Sequence, residues 1–389
     1  MKDFIYDIPT KVYFGDKMEG NLGAELSKFG KKVLLVYGGG SIKKSGLYDA
    51  VKQEIKAYKM ELYELGGVEP NPRVTTVNFG AEICRKIKID VILAVGGGSV
   101  IDCAKVIGVA AYYEKDAWDI VTCKVNINNC LPIFTVLTMS ATGSEMNFNA
   151  VISNQETEEK IGYKYPLMRP KVSFLDPRNT FSVGAFQTAC GGTDILSHIM
   201  EDYFCNQGNM YILDSIMEGL MKTVIKYTPI AIKEPNNYEA RANLMWASSL
   251  ALNGLIKGGK THAWSCHAME HQLSAVYDIT HGLGLAILTP RWMEYVLDEK
   301  TVDRFFSFGT NVFDIDISLG KQEVSLLAIA KLKDFLYNKC GLIPSLKEIG
   351  IDNLHFKKMA EKAVTLNNYQ IAFKNLSAED VKNIYEKCL

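Results

Sequence analysis

The chain of 389 residues is poor in histidine, with six in all, and has no excess of charge, since 43 Lys and Arg nearly balance 44 Asp and Glu. A formal net charge of −1 gives no electrostatic footprint for a phosphate backbone or an anionic lipid surface, so no nucleic acid and no membrane is expected as a partner. No apolar run approaches the ~18 residues that a bilayer span requires. The opening stretch MKDFIYDIPTKVYFG also lacks an apolar signal core. Nine cysteines are scattered from Cys84 to Cys388 without a CxxC pair, and an odd number of this kind points to reduced thiols in a cytoplasmic setting. Low-complexity tracts and repeats of solenoid period are missing too. What remains is a chain long enough for two cores, because single cores stop growing near ~250–300 residues.

Its two halves are patterned differently. In the first, β-rich runs alternate with helical stretches: KKVLLVY (31–37), MELYEL (60–65), DVILAV (90–95) and PIFTVLT (132–138) read as strands. That alternation predicts a mostly parallel sheet covered on both faces, a Rossmann-like α/β domain over residues 1–180. Beyond FLDPRNTFSV the apolar residues recur at spacings of three and four, which predicts an all-α domain over 181–389.

Two glycine runs follow predicted strands. Gly38, Gly39 and Gly40 lead into Ser41, and Gly96, Gly97 and Gly98 lead into Ser99 and a helical stretch. Glycines let a phosphate reach the backbone, and a helix start supplies N–H groups and a favourable dipole. Either run alone is equally a tight turn; two at equivalent strand ends favour a nucleotide. A third loop, LTMSATGSEMN (137–147), is dense in small hydroxyl residues and suits a clamp on ribose or nicotinamide. The first strand ends Val36-Tyr37-Gly38, with no acid before Asp49. A carboxylate there would favour NAD, whereas Ser41, Lys43 and Lys44 suit the 2′-phosphate of NADP(H).

The scarce histidines are concentrated. Asp194 and His198 stand at i and i+4, His267 and His271 repeat the spacing, and His281 follows ten residues on. The spacing stacks side chains on one helix face, and carboxylate plus imidazole suits Zn²⁺ or Fe²⁺. A lone histidine on a half-apolar helix is usually a hydrogen-bonded core residue, but clustering weakens that reading. Spacing does not choose between His267 and His271 as the ligand. His262, after a flexible GGK and without a spaced partner, is set aside, and His355 reads as a surface residue.

Together IPTKVYFG, VYGGGSIKKSG, GVEPNPR, VGGGSVIDCAK, LTMSATGSEMN, YEARANLMWASSLALNG and MEHQLSAVYDITHGLGLAILTPRWMEY resemble the iron-containing (group III) alcohol dehydrogenase family over nearly the whole chain. Within it the motifs look most like the clostridial NADPH-dependent butanol dehydrogenases. The resemblance implies the dehydroquinate synthase-like fold, a homodimer, and an NADPH-dependent alcohol dehydrogenase or aldehyde reductase acting on short- to medium-chain aliphatic substrates such as butanal. It implies that Asp194, His198, His267 and His281 hold Fe²⁺, with Zn²⁺ as the alternative, and that His271 stands near the metal unbound, as a proton relay or substrate contact. It places Gly39, Ser41, Gly97, Gly98, Ser99, Asp102, Thr138 and Thr142 around the cofactor, with Lys160 as a further contact. NNYQIAFKNLS departs from the family pattern and is expected near the substrate. Two rivals stand beside this reading: a lyase of the same fold that regenerates its NAD, and a non-catalytic nucleotide-binding protein. The apolar Trp264, Leu273 and Val276 near the histidines speak against the basic pocket that the lyase needs.

Overall fold

Six short runs of apolar and β-branched residues supply a parallel sheet in the first half of the chain. A computed structural model describes residues 3–206 and 210–389. Its chain divides between Val183 and Gly184 into two compact units, the first beginning at Asp7. The strands of the first unit are β1 (Lys11–Phe14), β2 (Lys32–Tyr37), β3 (Glu61–Leu65), β4 (Val91–Gly96), β5 (Ile133–Leu137) and β8 (Val172–Leu175), in the order β1-β8-β5-β4-β2-β3. All five pairings are parallel. Every residue of β4 and β5 is buried, as expected of strands covered on both faces. Helices α1 (Leu47–Ala57), α2 (Val74–Ile87) and α3 (Gly98–Ala110) lie between them in sequence, and a separate antiparallel hairpin, β6 (Asn149–Asn154) with β7 (Glu159–Lys164), precedes β8.

The strand order positions the glycine runs. From β2 the chain moves outward to β3, then returns to the other side of β2 as β4 and continues away to β5. The reversal lies between β2 and β4, and a parallel sheet binds ligands at the carboxyl ends of strands at such a switch point. Gly38–Gly40 follow β2 and Gly97–Gly98 follow β4, so both runs open at the switch. Three strand features escape the sequence pattern. β1 and β8 are four residues each, too short for a periodic signal, and β1 is an edge strand with no buried side chain. The β6–β7 hairpin alternates buried and exposed positions within a stretch rich in charge.

The second unit is helical. Among its helices are α4 (Ala185–Tyr203), α5 (Tyr211–Lys233), α6 (Tyr238–Leu252), α7 (Ser265–Tyr277) and α8 (His281–Val296). Helix α4 packs against α5, α6, α7 and α8, and nearly all of its residues from Thr188 onward are buried. A helix apolar all round is one enclosed by others. Around it Phe204, Trp292, Phe305, Phe308 and Phe373 form an edge-to-face aromatic cluster. Phe373 and the buried Tyr369 belong to NNYQIAFKNLS, so this segment contributes to the core at two of its aromatic positions. No helix among the described residues is long and apolar enough to cross a membrane, and all nine cysteines are free.

Helices α8 and α4 approach each other backbone to backbone. A Cβ added at Gly282 would lie 2.2 Å from the Cys190 carbonyl oxygen, a backbone atom that cannot swing aside. Gly282→Ala should therefore cost about 1–3 kcal/mol of overpacking, a fall in Tm of about 1–4 °C for a chain of this size. Calorimetry reads it, and an unchanged Tm would show that the two helices separate cheaply.

Candidate metal centre and cofactor loops

The histidine-rich stretch converges on one carboxylate. Asp194 and His198 lie one turn apart on α4, His267 in the first turn of α7, and His281 at the first position of α8. Asp194 Oδ1 is 3.7 Å from His198 Nδ1, 3.7 Å from His267 Nε2 and 3.5 Å from His281 Nε2. Donor atoms of Asp194, His267 and His281 all lie within 4.8 Å of one another, and a second such set joins Glu270, His271 and His281. The His198 and His267 rings stack at 4.7 Å, and the Trp264 ring closes over both, at 5.5 and 4.9 Å. His271, half-buried, has its ring 5.7 Å from that of His281 and 6.4 Å from that of His267.

Asp194 Oδ1, His198 Nδ1 and His267 Nε2 are buried without a hydrogen-bond partner. Three unsatisfied polar atoms at about 1–3 kcal/mol each are a large debt for one corner of a core. A divalent cation with nitrogen and carboxylate preferences removes it, so the residues fit the metal that the donor set calls for. The electrostatics agree. Burial pushes the Asp194 carboxyl upward, yet His198, His281 and His267 hold it below its ordinary range. Burial drives His198 down to about 3. Against the same burial, Asp194 and Glu201 raise His267 to about 9. The opposite shifts of the stacked rings favour a positive charge on His267 and not on His198, and a cation would take over that charge.

Two carboxylates that the sequence reading passes over set the ring orientations. Glu201 on α4 accepts the backbone N–H groups of Ser265 and His267, both at 2.9 Å, and faces His267 Nδ1 at 3.3 Å. It thus caps the start of α7 and holds its histidine at once. Glu270 on α7, fully buried, bonds His281 Nδ1 and the Ser274 hydroxyl. Tyr369 and Tyr385 add hydroxyl bonds to the Ser265 and Met269 carbonyls of α7, at 3.1 and 2.8 Å. The only hint in the sequence is that each acid stands three residues after a histidine, His198 and His267, neither of which is the one it holds. His262 also has a partner: Nε2 lies 3.1 Å from Asp202 Oδ1 and accepts the Trp264 indole N–H at 3.2 Å. His355 rests against the Tyr277 ring at 5.9 Å.

In the other unit, the second and third loops form one surface. Thr138 N–H bonds the Gly96 carbonyl at 3.1 Å. A Cβ at Gly98 would come within 2.4 Å of Thr142 Oγ1, and one at Gly97 within 3.2 Å of Met139. Only glycine lets the start of α3, with Ser99, sit this close to the hydroxyl-rich loop. Gly39, in contrast, is exposed and a Cβ there would meet nothing within 4 Å. Ser41 and Lys44 are exposed beside it. Lys43 Nζ lies over the Tyr37 and Tyr48 rings at 5.0 and 4.9 Å, and both phenols bond Glu64. Glu64, on β3, is thereby engaged by two phenol hydroxyls. Asp102 is buried, accepting the Ser144 hydroxyl at 2.6 Å and the Val151 N–H at 2.9 Å. Lys160 is buried on β7, in register with Ser153 of β6.

Residues 9–177 match the family model for "Iron-containing alcohol dehydrogenase", and residues 188–389 match that for "Fe-containing alcohol dehydrogenase family, C-terminal". The chain is 50% identical to the NADH-dependent butanol dehydrogenase A of Clostridium acetobutylicum over 388 residues, all of both chains. It is 35% identical to the NADPH-dependent aldehyde reductase YqhD of Escherichia coli, over 94% of this chain and 95% of that one. Its fold superposes on a crystal structure of an NADH-dependent butanol dehydrogenase A from Thermotoga maritima with a TM-score of 0.94, at 41% identity, covering 100% of this chain and 99% of the other.

Alanine at Asp194, His198, His267 or His281 should each release most of the metal, because retention depends on the full ligand count. Glu201→Gln should keep the fold yet weaken metal affinity by roughly 10–100-fold, measured by competition with a chelator. Affinity equal to the parent's would mean that Glu201 caps α7 and orients nothing.

Proposed function

Because the chain belongs to the iron-containing alcohol dehydrogenase family, we propose that it reduces short- to medium-chain aliphatic aldehydes such as butanal to primary alcohols, using NADPH and a divalent metal. One observation carries the reading: Asp194 and three histidines from three helices converge on one carboxylate oxygen, and Asp194 Oδ1, His198 Nδ1 and His267 Nε2 are buried there without a partner. When bound, Fe²⁺ or Zn²⁺ supplies Lewis acidity toward the carbonyl oxygen, and the reduced nicotinamide supplies the hydride.

The chain's own residues do the rest. Asp194, His198, His267 and His281 hold the metal, while Glu201 and Glu270 fix the tautomers of His267 and His281 by accepting hydrogen bonds from their Nδ1–H groups. Trp264 and its apolar surroundings keep water from the ring faces. His271, whose ring lies 5.7 Å from that of His281, would pass a proton to the product oxygen. In the other unit Gly38, Gly39 and Ser41 would take the adenosine end, and Gly97, Gly98, Ser99, Thr138, Thr142 and Lys160 the rest of the cofactor. A homodimer is part of the proposal, supported by the edge strand β1, which pairs on one side alone among the described residues. A reducing, cytoplasmic setting accords with nine free thiols.

Net oxidation of NADPH by an aldehyde series, followed through the nicotinamide absorbance on metal-loaded protein, tests the reaction. A lyase that regenerates its own cofactor would show no net change. His271→Ala should retain its metal and lose on the order of 10²-fold in kcat. If that variant loses metal while His267→Ala keeps it, the two roles are exchanged.

Relatives divide on the cofactor: two at 50% identity are named NADH-dependent and one at 35% NADPH-dependent. Support for NADPH comes from the open space at Gly39 and from Ser41, Lys43 and Lys44 in the turn that follows. Two charge-assisted bonds to a 2′-phosphate, about 1.5–3 kcal/mol each, give a preference on the order of a hundredfold or more. Gly39→Asp fits the open space and should shrink or invert the ratio of kcat/KM for NADPH over NADH, chiefly through KM. Equal use of both cofactors by the unmutated protein would sink the preference.

A further inference from the structure

Lys105 is completely buried in the second half of α3, where an ammonium is costly unless every proton is taken. Here each one is. Nζ donates to Ser144 Oγ at 2.7 Å, to Asn147 Oδ1 at 3.0 Å and to the Asn149 carbonyl at 2.8 Å. One turn earlier on the same helix, Asp102 accepts the Ser144 hydroxyl and the Val151 N–H. The Ser144 hydroxyl thus receives from the lysine and gives to the aspartate. Asn147 completes the node, donating to the Gly143 carbonyl at 2.9 Å and accepting from the Asn149 N–H at 2.8 Å.

Two side chains of one helix therefore hold two other elements. One is the loop that carries Thr138 and Thr142, already against Gly97 and Gly98. The other is β6, which is paired with β7 and its Lys160. The start of α3 with Ser99 is the third. All three elements of the proposed cofactor surface beyond the first glycine loop meet at this buried pair.

We propose that Lys105 is a positioning residue for the nicotinamide cofactor: its buried ammonium, with Asp102, locks the Ser144 loop and the β6–β7 hairpin against the start of α3. The inference rests on the cofactor reading above. Lys105 lies beneath the loop that it anchors and acts through Ser144, Asn147 and Asn149.

The charge on Lys105 is sensitive to pH. Burial lowers it to about 8, opposed by Asp102 and Glu145, with Arg169 lowering it further and the neighbouring Cys130 raising it. Burial pushes the Cys130 thiol itself up to about 12, so it stays neutral over the working range. The sign follows from a folded value below the ordinary one. The ammonium and its third hydrogen bond are present below pH ~8 and lost above it, so cofactor affinity should fall as pH rises through that value.

The test uses full-length, metal-loaded protein and titrates NADPH and NADH by fluorescence, with metal content and Tm measured on each sample. Lys105→Met should raise the dissociation constant about tenfold or more, equivalent to ~1.4 kcal/mol, leave metal content at the parent's level, and raise KM for the cofactor more than it lowers kcat. It should also abolish the loss of affinity above pH ~8. Because Lys105→Met leaves a lone buried carboxylate, the double variant Asp102→Asn/Lys105→Met is tested beside it and should show the same weakening. If neither variant is recovered folded, the pH dependence of binding to the unmutated protein decides: affinity that is flat through pH ~8 overturns the proposal. So does a folded variant that binds as tightly as its parent. If the parent binds neither nucleotide, the cofactor reading itself fails; if the parent binds and only the variant is unaffected, Lys105 alone is misread.

Discussion

Three imidazole nitrogens surround one oxygen of the buried Asp194 at 3.5–3.7 Å. Those distances are too long for good hydrogen bonds and too short for indifference. The helical unit has brought together a carboxylate and three rings, and Asp194 Oδ1, His198 Nδ1 and His267 Nε2 satisfy nothing unless a cation stands among them. Much of the surrounding architecture can be understood as what it takes to hold that arrangement. Helix α4 must be buried all round to present Asp194 and His198 inward, and α8 must approach it closely enough that position 282 has no room for a side chain.

The holding is sequential from helix to helix. Helix α4 contributes two donors and, through Glu201, orients the donor on α7. Helix α7 contributes His267 and, through Glu270, orients the donor on α8. No helix aims its own histidine with its own acid. The consequence is cooperative: a shift of α7 misplaces a ligand at one end of its first turn and the support of another ligand one turn on. The hydroxyls of Tyr369 and Tyr385 resist that shift by tying the backbone of α7 to the C-terminal part of the chain.

The α/β unit solves a different problem with the same economy. A parallel sheet gathers its strand ends at the switch between β2 and β4 at no extra cost, and the glycine runs need only be short. The hydroxyl-rich loop and the hairpin lie outside the main sheet, which bonds the loop through Ser173 and Gly96. Their register comes from Asp102 and Lys105, two charges buried one turn apart on α3. Asp102, which the family resemblance sets beside the cofactor, spends both of its carboxylate oxygens inside the protein.

The sequence by itself determined the fold class, because long buried strands and amphipathic or wholly apolar helices leave periodicities that composition cannot hide. It also pointed to the candidate donors that the fold brings together, since an acid and a histidine at i and i+4 share a helix face by geometry alone. Short edge strands, whose few residues carry no period, were decided only in three dimensions. So were the roles of Glu201 and Glu270: each stands near one histidine in sequence and holds another across a helix interface, and no spacing along a chain encodes that choice. Glu64 likewise reaches the first glycine loop from a neighbouring strand, twenty-seven positions from the Tyr37 that it meets. What the chain wrote locally was legible; what depends on which helix lies beside which, and at what rotation, belonged to the packing.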